Sequence, residues 1–153
     1  MGNSGLTQWS DTMRTGVAEI DEQHRILVDT LIEAKAKLTG GIADPLFDQI
    51  TRDLLAYAIY HFDTEEGLMR LHGYATAAPE EAAAHLHQHR HFSEKVVDMR
   101  STARAGKPGS REALVEFLQN WLVNHILTTD KRLGQFICAI APGKDSSSAY
   151  HHD

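Results

Sequence analysis

Apolar residues recur every three or four positions along most of the chain, the spacing that places them on one side of an α-helix. The first such stretch begins near Ile20-Asp21 and stops at Gly40-Gly41. One histidine, His24, interrupts its inward stripe. A lone histidine there is usually a satisfied core residue, so His24 acquires meaning only if other ligands converge on it. The stripe consists of Ile20, His24, Leu27, Leu31, Ala34 and Leu38.

Three further helices are predicted by the same spacing and by the residues at their ends. Asp44 is the expected N-cap of the second, with Pro45 in its first turn, and Gly73 ends it. Pro79 opens the third, and Ser110 is the expected N-cap of the fourth. Four helices with short connections predict an all-α protein, an antiparallel up-down four-helix bundle.

The two ends of the chain lack this periodicity. Residues 1–19 are interpreted as an N-terminal extended arm, with Trp9 anchored against one end of the core. Residues 142–153 indicate a flexible polar tail, whose two adjacent histidines are not expected to join a core site. The bundle is therefore assigned to residues 20–141, without a repeat or a second domain.

The composition is that of an ordinary globular domain, apart from its histidines. The chain has 153 residues, of which 42% are hydrophobic and 24% charged, and a formal net charge of −6. The acidic balance argues against nucleic acid and anionic membrane as partners. Apolar runs are too short for membrane insertion, so a cytoplasmic protein is expected. The single Cys138 excludes an internal disulfide, whereas ten histidines need an explanation.

Two helices carry a histidine followed by a carboxylate. His61 and Glu65 are four residues apart and so share one helix face, although such pairs are also common on solvated faces. Asp130 follows His125 by five residues, an offset of about 140° on a regular helix. Either the helix ends there, or it contains a π-helical turn, or Asp130 is a surface residue.

The third helix contains two histidine pairs with helical spacing, and the residues beyond each pair decide which one faces the core. Beyond His85 and His89 the stripe continues with apolar residues. Beyond His87 and His91 it continues with polar and acidic residues. We therefore expect His85 and His89 to point inwards as ligands and His87 and His91 to lie on the surface.

Nitrogen and oxygen ligands without thiolates suit iron, manganese, zinc or copper. Five imidazoles and two carboxylates can hold two ions if the carboxylates bridge. The HExxH motif and the Glu-x-x-His motif of ferritin-like di-iron enzymes are both absent from the sequence. Little carboxylate charge favours a site that binds O2 over one that cleaves it. The candidate metal ligands are His24, His61, Glu65, His85, His89, His125 and Asp130.

Four motifs in this order resemble those of the bacterial hemerythrins. The resemblance covers roughly residues 9–135, and the segment Ala75–Ala84 is longer than the family pattern. The motifs are Trp9 with Gly16-Val17-x-x-Ile20-Asp21-x-Gln23-His24; His61-Phe62-x-x-Glu65-Glu66-x-Leu68-Met69 with Gly73-Tyr74; His85-x-x-x-His89-x-x-Phe92; and Trp121-Leu122-x-x-His125-Ile126-x-x-x-Asp130.

The resemblance implies a non-haem di-iron centre that binds O2 reversibly, for oxygen storage or delivery. One iron would take three histidines and the other two, while both carboxylates and an oxo or hydroxo group would bridge them. It also implies that the two-histidine iron keeps one position open for O2. The three-histidine iron would be bound by His85, His89 and His125, and the two-histidine iron by His24 and His61. Glu65 and Asp130 would be the bridging carboxylates.

The open position is expected to be capped by Leu122, one helical turn before His125, with Trp121 and Phe62 as further walls. The alternative is that Leu122 is ordinary core. Two other functions stay open: a sensor module that passes an O2 or redox signal to a protein partner, and a di-iron enzyme acting on peroxide or nitric oxide. We expect no catalytic residue and at most a weak oxidase or peroxidase side activity.

Overall fold

The computed structural model describes residues 9–38 and 41–140, and in this part of the chain every regular element is helical. The last three elements run on from one another with helical backbone angles, so the long helices number four. The elements are a 3-10 turn (Asp11–Met13), α1 (Ala18–Leu38), α2 (Asp44–Leu71), α3 (Tyr74–Ala77), α4 (Pro79–Arg104), α5 (Ser110–Asn124), a π-helical turn (His125–Asp130) and α6 (Lys131–Ile140).

The buried apolar residues form two clusters on either side of a layer of buried histidines and carboxylates. Most residues of the larger cluster follow the histidine of α1, precede that of α2, follow those of α4 and precede that of the π-helical turn, as in Leu27, Ala58, Phe92 and Leu118. The smaller cluster has the opposite order, as in Ile20, Met69, Ala82 and Leu133. Because the order reverses at each long helix, the bundle is antiparallel. The predicted all-α four-helix bundle is confirmed.

The start of α2 differs by one residue from the prediction. Ala43 is the N-cap and Asp44 already lies inside the helix, so the N-cap prediction for Asp44 was wrong. Instead the Asp44 carboxylate accepts a hydrogen bond from Arg111 of α5. The same guanidinium donates to the Ile42 carbonyl at 2.7 Å. This contact between helices draws the side chain of Asp44 away from the end of its own helix.

The start of α5 shows the same kind of difference. Gly109, with a φ of 77°, is the N-cap, and Ser110 is the first helical residue, so Ser110 was wrongly predicted as the cap. The Ser110 hydroxyl donates to the Lys107 carbonyl at 2.6 Å and stabilises the preceding loop. A left-handed φ favours glycine at this position, which explains why the cap has no side chain.

The connection between α2 and α4 contains a one-turn helix that the sequence pattern did not predict. Gly73, with a φ of 70°, follows the end of α2 as expected, and α3 begins at Tyr74. Tyr74 is buried in the smaller cluster, with its ring centroid 4.9 Å from that of Phe136. The long segment at Ala75–Ala84 is thus occupied by α3 and the first turns of α4, which begins at Pro79 as predicted.

The N-terminal arm was predicted to be extended, but its described part contains a 3-10 turn. The first long helix, α1, starts at Ala18 rather than near Ile20. The arm is held against α1 by Asp21, whose carboxylate accepts hydrogen bonds from Thr15 N at 2.7 Å, Thr15 Oγ1 at 2.8 Å and Gly16 N at 3.2 Å. These bonds explain how polar backbone is accommodated beside the core.

The arm also lies against α6. Gly134 is so close to it that an added Cβ would lie 2.3 Å from the carbonyl oxygen of Thr15. Trp9 is partly buried against the larger cluster, as expected. No helix among residues 9–38 and 41–140 is long and apolar enough to cross a membrane. The predictions for the first eight residues, for Gly40 and for the tail fall outside the described residues.

Gly134→Ala should lower the free energy of unfolding by about 1–3 kcal/mol, because the new methyl group must displace the backbone of Thr15. Gly67→Ala in α2 is the matched control, since its added Cβ meets nothing closer than Arg70 Nη2 at 3.9 Å. Helix propensity then favours alanine by up to about 1 kcal/mol. Urea unfolding followed by circular dichroism measures both variants. Wild-type stability of Gly134→Ala would show that the arm is not held against α6.

Candidate metal centre

The structure brings the seven candidate ligands together in one buried layer at the middle of the bundle. Each exposes at most 3% of its surface. All four long helices contribute to the layer, so its geometry depends on the packing of the whole bundle. The contributions are His24 from α1, His61 and Glu65 from α2, His85 and His89 from α4, and His125 and Asp130 from the π-helical turn.

One oxygen of each carboxylate faces a group of three histidines, His85, His89 and His125. His85 Nε2 lies 3.2 Å from Glu65 Oε1 and 3.1 Å from Asp130 Oδ1. His89 Nε2 is 3.0 Å from Glu65 Oε1. His125 Nε2 is 2.9 Å from Asp130 Oδ1 and 3.9 Å from Glu65 Oε1. These five side chains form the three-histidine group.

The other oxygen of each carboxylate faces a group of two histidines. His24 Nε2 lies 2.7 Å from Asp130 Oδ2 and 3.4 Å from Glu65 Oε2. His61 Nε2 is 3.1 Å from Glu65 Oε2. This two-histidine group shares both carboxylates with the three-histidine group but has one imidazole fewer.

Most of these short contacts do not have the geometry of hydrogen bonds. Buried atoms without a hydrogen-bond partner include Nε2 of His24, His61 and His125, Oε2 of Glu65 and both carboxylate oxygens of Asp130. Leaving a polar group buried and unpaired costs about 1–3 kcal/mol. These atoms therefore need a partner that accepts several lone pairs at once.

Metal ions meet this need. Adjacent ligand atoms around an octahedral ion with bonds of ~2.1 Å are ~3 Å apart. The contacts from the histidine Nε2 atoms to the nearest carboxylate oxygens, between 2.7 and 3.1 Å, agree with this spacing. The donor set thus fits two metal ions that share the carboxylates.

Asp130 reaches this layer because the chain from His125 to Asp130 is π-helical. The wider turn needs about one more residue than an α-turn, so a five-residue spacing returns to the same face. Of the three alternatives left open by the sequence, the π-helical turn is correct. The surface position is wrong, because Asp130 is fully buried.

The predicted orientation of α4 is confirmed. His85 and His89 are buried in the layer, whereas His87 and His91 are exposed. The apolar residues that continue the inward stripe, such as Phe92, lie in the larger cluster. The residues that follow each histidine pair in the sequence therefore predict correctly which face of α4 is buried.

Three ligand histidines are oriented by a polar side chain of a neighbouring helix. Their Nδ1 atoms lie within hydrogen-bond distance of its oxygen, and a proton on Nδ1 leaves the Nε2 lone pair free to face the centre. Each supporting residue is adjacent in sequence to a metal ligand on its own helix. Its side chain projects about 100° around the helix axis from that ligand. The pairs are His61 with Gln23 Oε1 at 2.7 Å, His89 with Glu66 Oε2 at 2.9 Å and His125 with Gln88 Oε1 at 2.8 Å.

These supporting roles were not predicted from the sequence. The side chain of Glu66 lies about 100° round α2 from that of Glu65. It is only 28% exposed and accepts the hydrogen bond from His89. The signal available in the sequence was a hydrogen-bond acceptor side chain next to a metal ligand. The histidine that binds this acceptor could not be identified without knowing which helices are neighbours.

Without metal, the buried carboxylates favour protonated histidines. Burial by itself disfavours the imidazolium, but Asp130 and Glu65 outweigh burial and raise the pKa of His24 and of His85 to about 9. They raise the pKa of His125 in the same way. Burial also opposes ionisation of the two carboxyl groups, yet the surrounding histidines lower the pKa of both. Metal ions would replace the protons that otherwise balance these charges.

Two aromatic rings cover the three-histidine group. The Phe62 ring stacks on His89 with centroids 4.0 Å apart, and the Trp121 ring stacks on His125 at 4.4 Å. The Phe62 ring also lies beside His61 of the two-histidine group, with centroids 6.1 Å apart. The expectation that both rings wall the open position stays a prediction. Their stacking restricts rotation of the two imidazoles.

Leu122 is buried in the larger cluster and lines an apolar cavity of about 10 Å³. Leu27 and Ala58 line the same cavity, and they are one helical turn from His24 and His61. Phe92 lines it too and is one turn from His89, while Leu122 is one turn from His125. The cavity therefore lies on the side of the layer that faces the larger cluster, beside turns that carry ligands of both groups.

The metal-free protein should lose stability as the pH rises from about 6 to about 9.5. Histidines whose folded pKa is raised contribute stability below their unfolded pKa of about 6.5, and this contribution is lost as the pH passes the folded value. For His24 and His85 that value is about 9. Urea unfolding across this range checks the trend, with metal-loaded protein as the control. A metal-free protein of constant stability would contradict the proposed proton balance.

The comparisons with known proteins agree with this geometry. Residues 15–137 match the family model of the hemerythrin HHE cation binding domain. A bacteriohemerythrin of Stenotrophomonas maltophilia is 31% identical over 126 residues, which cover 82% of this chain and 78% of that relative. A bacteriohemerythrin of Methylococcus capsulatus is 29% identical over 125 residues, which cover 82% of this chain and 91% of the relative.

Similarity extends to a solved structure and to more distant relatives. A crystal structure of a point mutant of another protein aligns with a TM-score of 0.73 and 26% identity, over 86% of this chain and 96% of that one. A hemerythrin-like protein of Naegleria gruberi is 23% identical over 124 residues. With a family model that matches most of its length and a buried histidine and carboxylate layer at the expected motifs, this chain belongs to the hemerythrin family, whose members bind non-haem iron.

Proposed function

We propose that the chain holds two iron ions in the buried layer and binds O2 reversibly there, for oxygen storage or delivery. The observation that carries this proposal is the unequal division of ligands, with two shared carboxylates between three histidines and two. The two-histidine group provides one protein ligand fewer, so its ion keeps a position for a small molecule. When bound, a pair of ferrous ions supplies the two electrons that reversible O2 binding requires.

The residues around the two-histidine group favour an apolar ligand over water. Leu27 and Ala58 lie one turn from His24 and His61, and together with Leu122 they line an apolar cavity. Apolar cavities of this kind stay dry, because water finds no polar partners in them. O2 is small and apolar and therefore suits these surroundings. Exclusion of water should also slow the loss of bound oxygen that leaves an inactive, oxidised centre.

The same residues support binding rather than turnover. All the residues that line the cavity are apolar, so none of them can act as a general acid or base beside the bound molecule. The ligand set has five imidazoles and two carboxylates, and so carries little of the anionic charge that stabilises high-valent iron. The proposed role is thus that of a binding protein, which passes O2 on rather than consuming it.

Anaerobic reduction followed by O2 titration, monitored by absorption spectra, tests this function. We expect a new absorption spectrum that saturates at one O2 for each pair of irons and disappears when O2 is removed under argon. Irreversible oxidation at the first addition of O2 would contradict reversible binding. Sustained turnover of peroxide or nitric oxide by the reduced protein would instead favour an enzyme.

Leu122→Ala should speed the decay of the oxygenated spectrum, because water can enter beside the two-histidine group. Leu118→Ala is the matched control, since Leu118 lines the same cavity and is equally buried, but lies one turn further from the ligands. Both variants should lose about 2–5 kcal/mol of stability. Decay rates are compared at equal iron content. An unchanged rate for Leu122→Ala, or equal acceleration in both variants, would show that Leu122 is ordinary core packing.

A further inference from the structure

We propose that His87 and His91 form a second metal site on the outer face of α4, for divalent first-row ions such as Zn²⁺ or Cu²⁺. The two residues are four apart on one helix, and both side chains are exposed. Their ring centroids are 6.5 Å apart and the ring planes differ by only 20°. The rings therefore stand side by side and face the same solvent.

The spacing suits two ligands of one ion. Residues four apart on a helix have Cβ atoms about 5–6 Å apart. Small rotations of exposed side chains can bring two imidazole nitrogens to the ~3 Å that adjacent ligands of an ion with ~2.1 Å bonds require. The same histidine spacing on a helix holds zinc in HExxH proteins. Because α4 packs against α2 and α5, the backbone that carries this pair is already ordered.

The two imidazoles are also chemically available. Among residues 9–38 and 41–140, neither ring takes part in a hydrogen bond or an ion pair. The exposed charged residues next to His91 on this helix are Arg90, Glu94 and Lys95, and the Glu94 carboxylate offsets one of the two positive charges. Imidazole ligands favour Cu²⁺ over the other divalent metals of the row, Zn²⁺ included. Water molecules would complete the coordination.

This outer site is separate from the buried layer although the histidines alternate in sequence. His85 and His89 are buried and face the bundle, while His87 and His91 point to solvent. The side chains of the outer pair do not pack in the core, so a role in stabilising the fold does not account for them. One helix thus carries a metal-binding face on each side, and the outer one stays accessible when the inner one is filled.

Calorimetric titration of the iron-loaded protein with ZnCl₂ tests the proposal, because the buried ligands are then occupied. All proteins should carry His151→Ala and His152→Ala, which removes the two adjacent histidines of the tail. We expect one Zn²⁺ per chain, with an affinity that falls about tenfold or more in His87→Ala and in His91→Ala, since a single imidazole cannot chelate. Unchanged affinity in either variant, or no binding before mutation, would overturn the proposal.

A rescue variant distinguishes chelation from a general loss of histidine. Lys95 is exposed and lies four residues after His91, so His87→Ala combined with Lys95→His recreates the spacing one turn further along. This variant should recover binding, whereas His72→Ala, which removes a histidine outside the pair, should bind like the parent. Failure of the rescue in a folded protein would contradict chelation. Iron content should be equal in all variants, and its loss in His87→Ala would contradict the outward position of this residue.

Discussion

The fold depends on the compensation of two buried carboxylates by five buried imidazoles. Glu65 and Asp130 are fully buried, and each divides its oxygens between two sets of histidine nitrogens. Several of these atoms have no hydrogen-bond partner, which in an apolar interior is strongly unfavourable. Metal ions bound here would turn this cost into a stabilising interaction that joins all four long helices. Without metal ions, protons on the histidines must balance the carboxylate charges, and the pKa values of these histidines are therefore raised.

The rest of the bundle keeps this layer in place and dry. The two apolar clusters enclose it from both sides, and the arm, held by Asp21 and in contact with Gly134, runs from Trp9 at the larger cluster to Val17 in the smaller one. Around the ligands, Gln23, Glu66 and Gln88 each orient a histidine of a neighbouring helix. The orientation of one helix's ligands therefore requires the correct packing of the next helix, so that the site and the fold form together.

The features that could be predicted from the sequence depend on periodicity. The helix count, the inward position of His85 and His89 and the burial of His24 follow from where apolar residues recur. The five-residue spacing to Asp130 allowed a π-helical turn but could not distinguish it from a helix end. Burial of the carboxylate against His125 decides this, and that is a tertiary interaction.

The features that could not be predicted depend on contacts between helices. The caps of α2 and α5 were misassigned because Asp44 is bound by Arg111 from another helix and Gly109 adopts a left-handed φ. The stacking of Phe62 on His89 is a contact of this kind. Sequence spacing specifies the face of a helix on which a side chain lies, and packing specifies which ligand it meets.

The central claim is that the buried layer holds two iron ions per chain. Elemental analysis of protein produced in iron-replete medium, related to protein concentration from amino-acid analysis, tests it most directly. Two irons per chain is the predicted result, because the shared carboxylates create two complete groups of ligands. One zinc per chain without iron, or a single iron that no addition of ferrous ion can raise, would contradict it.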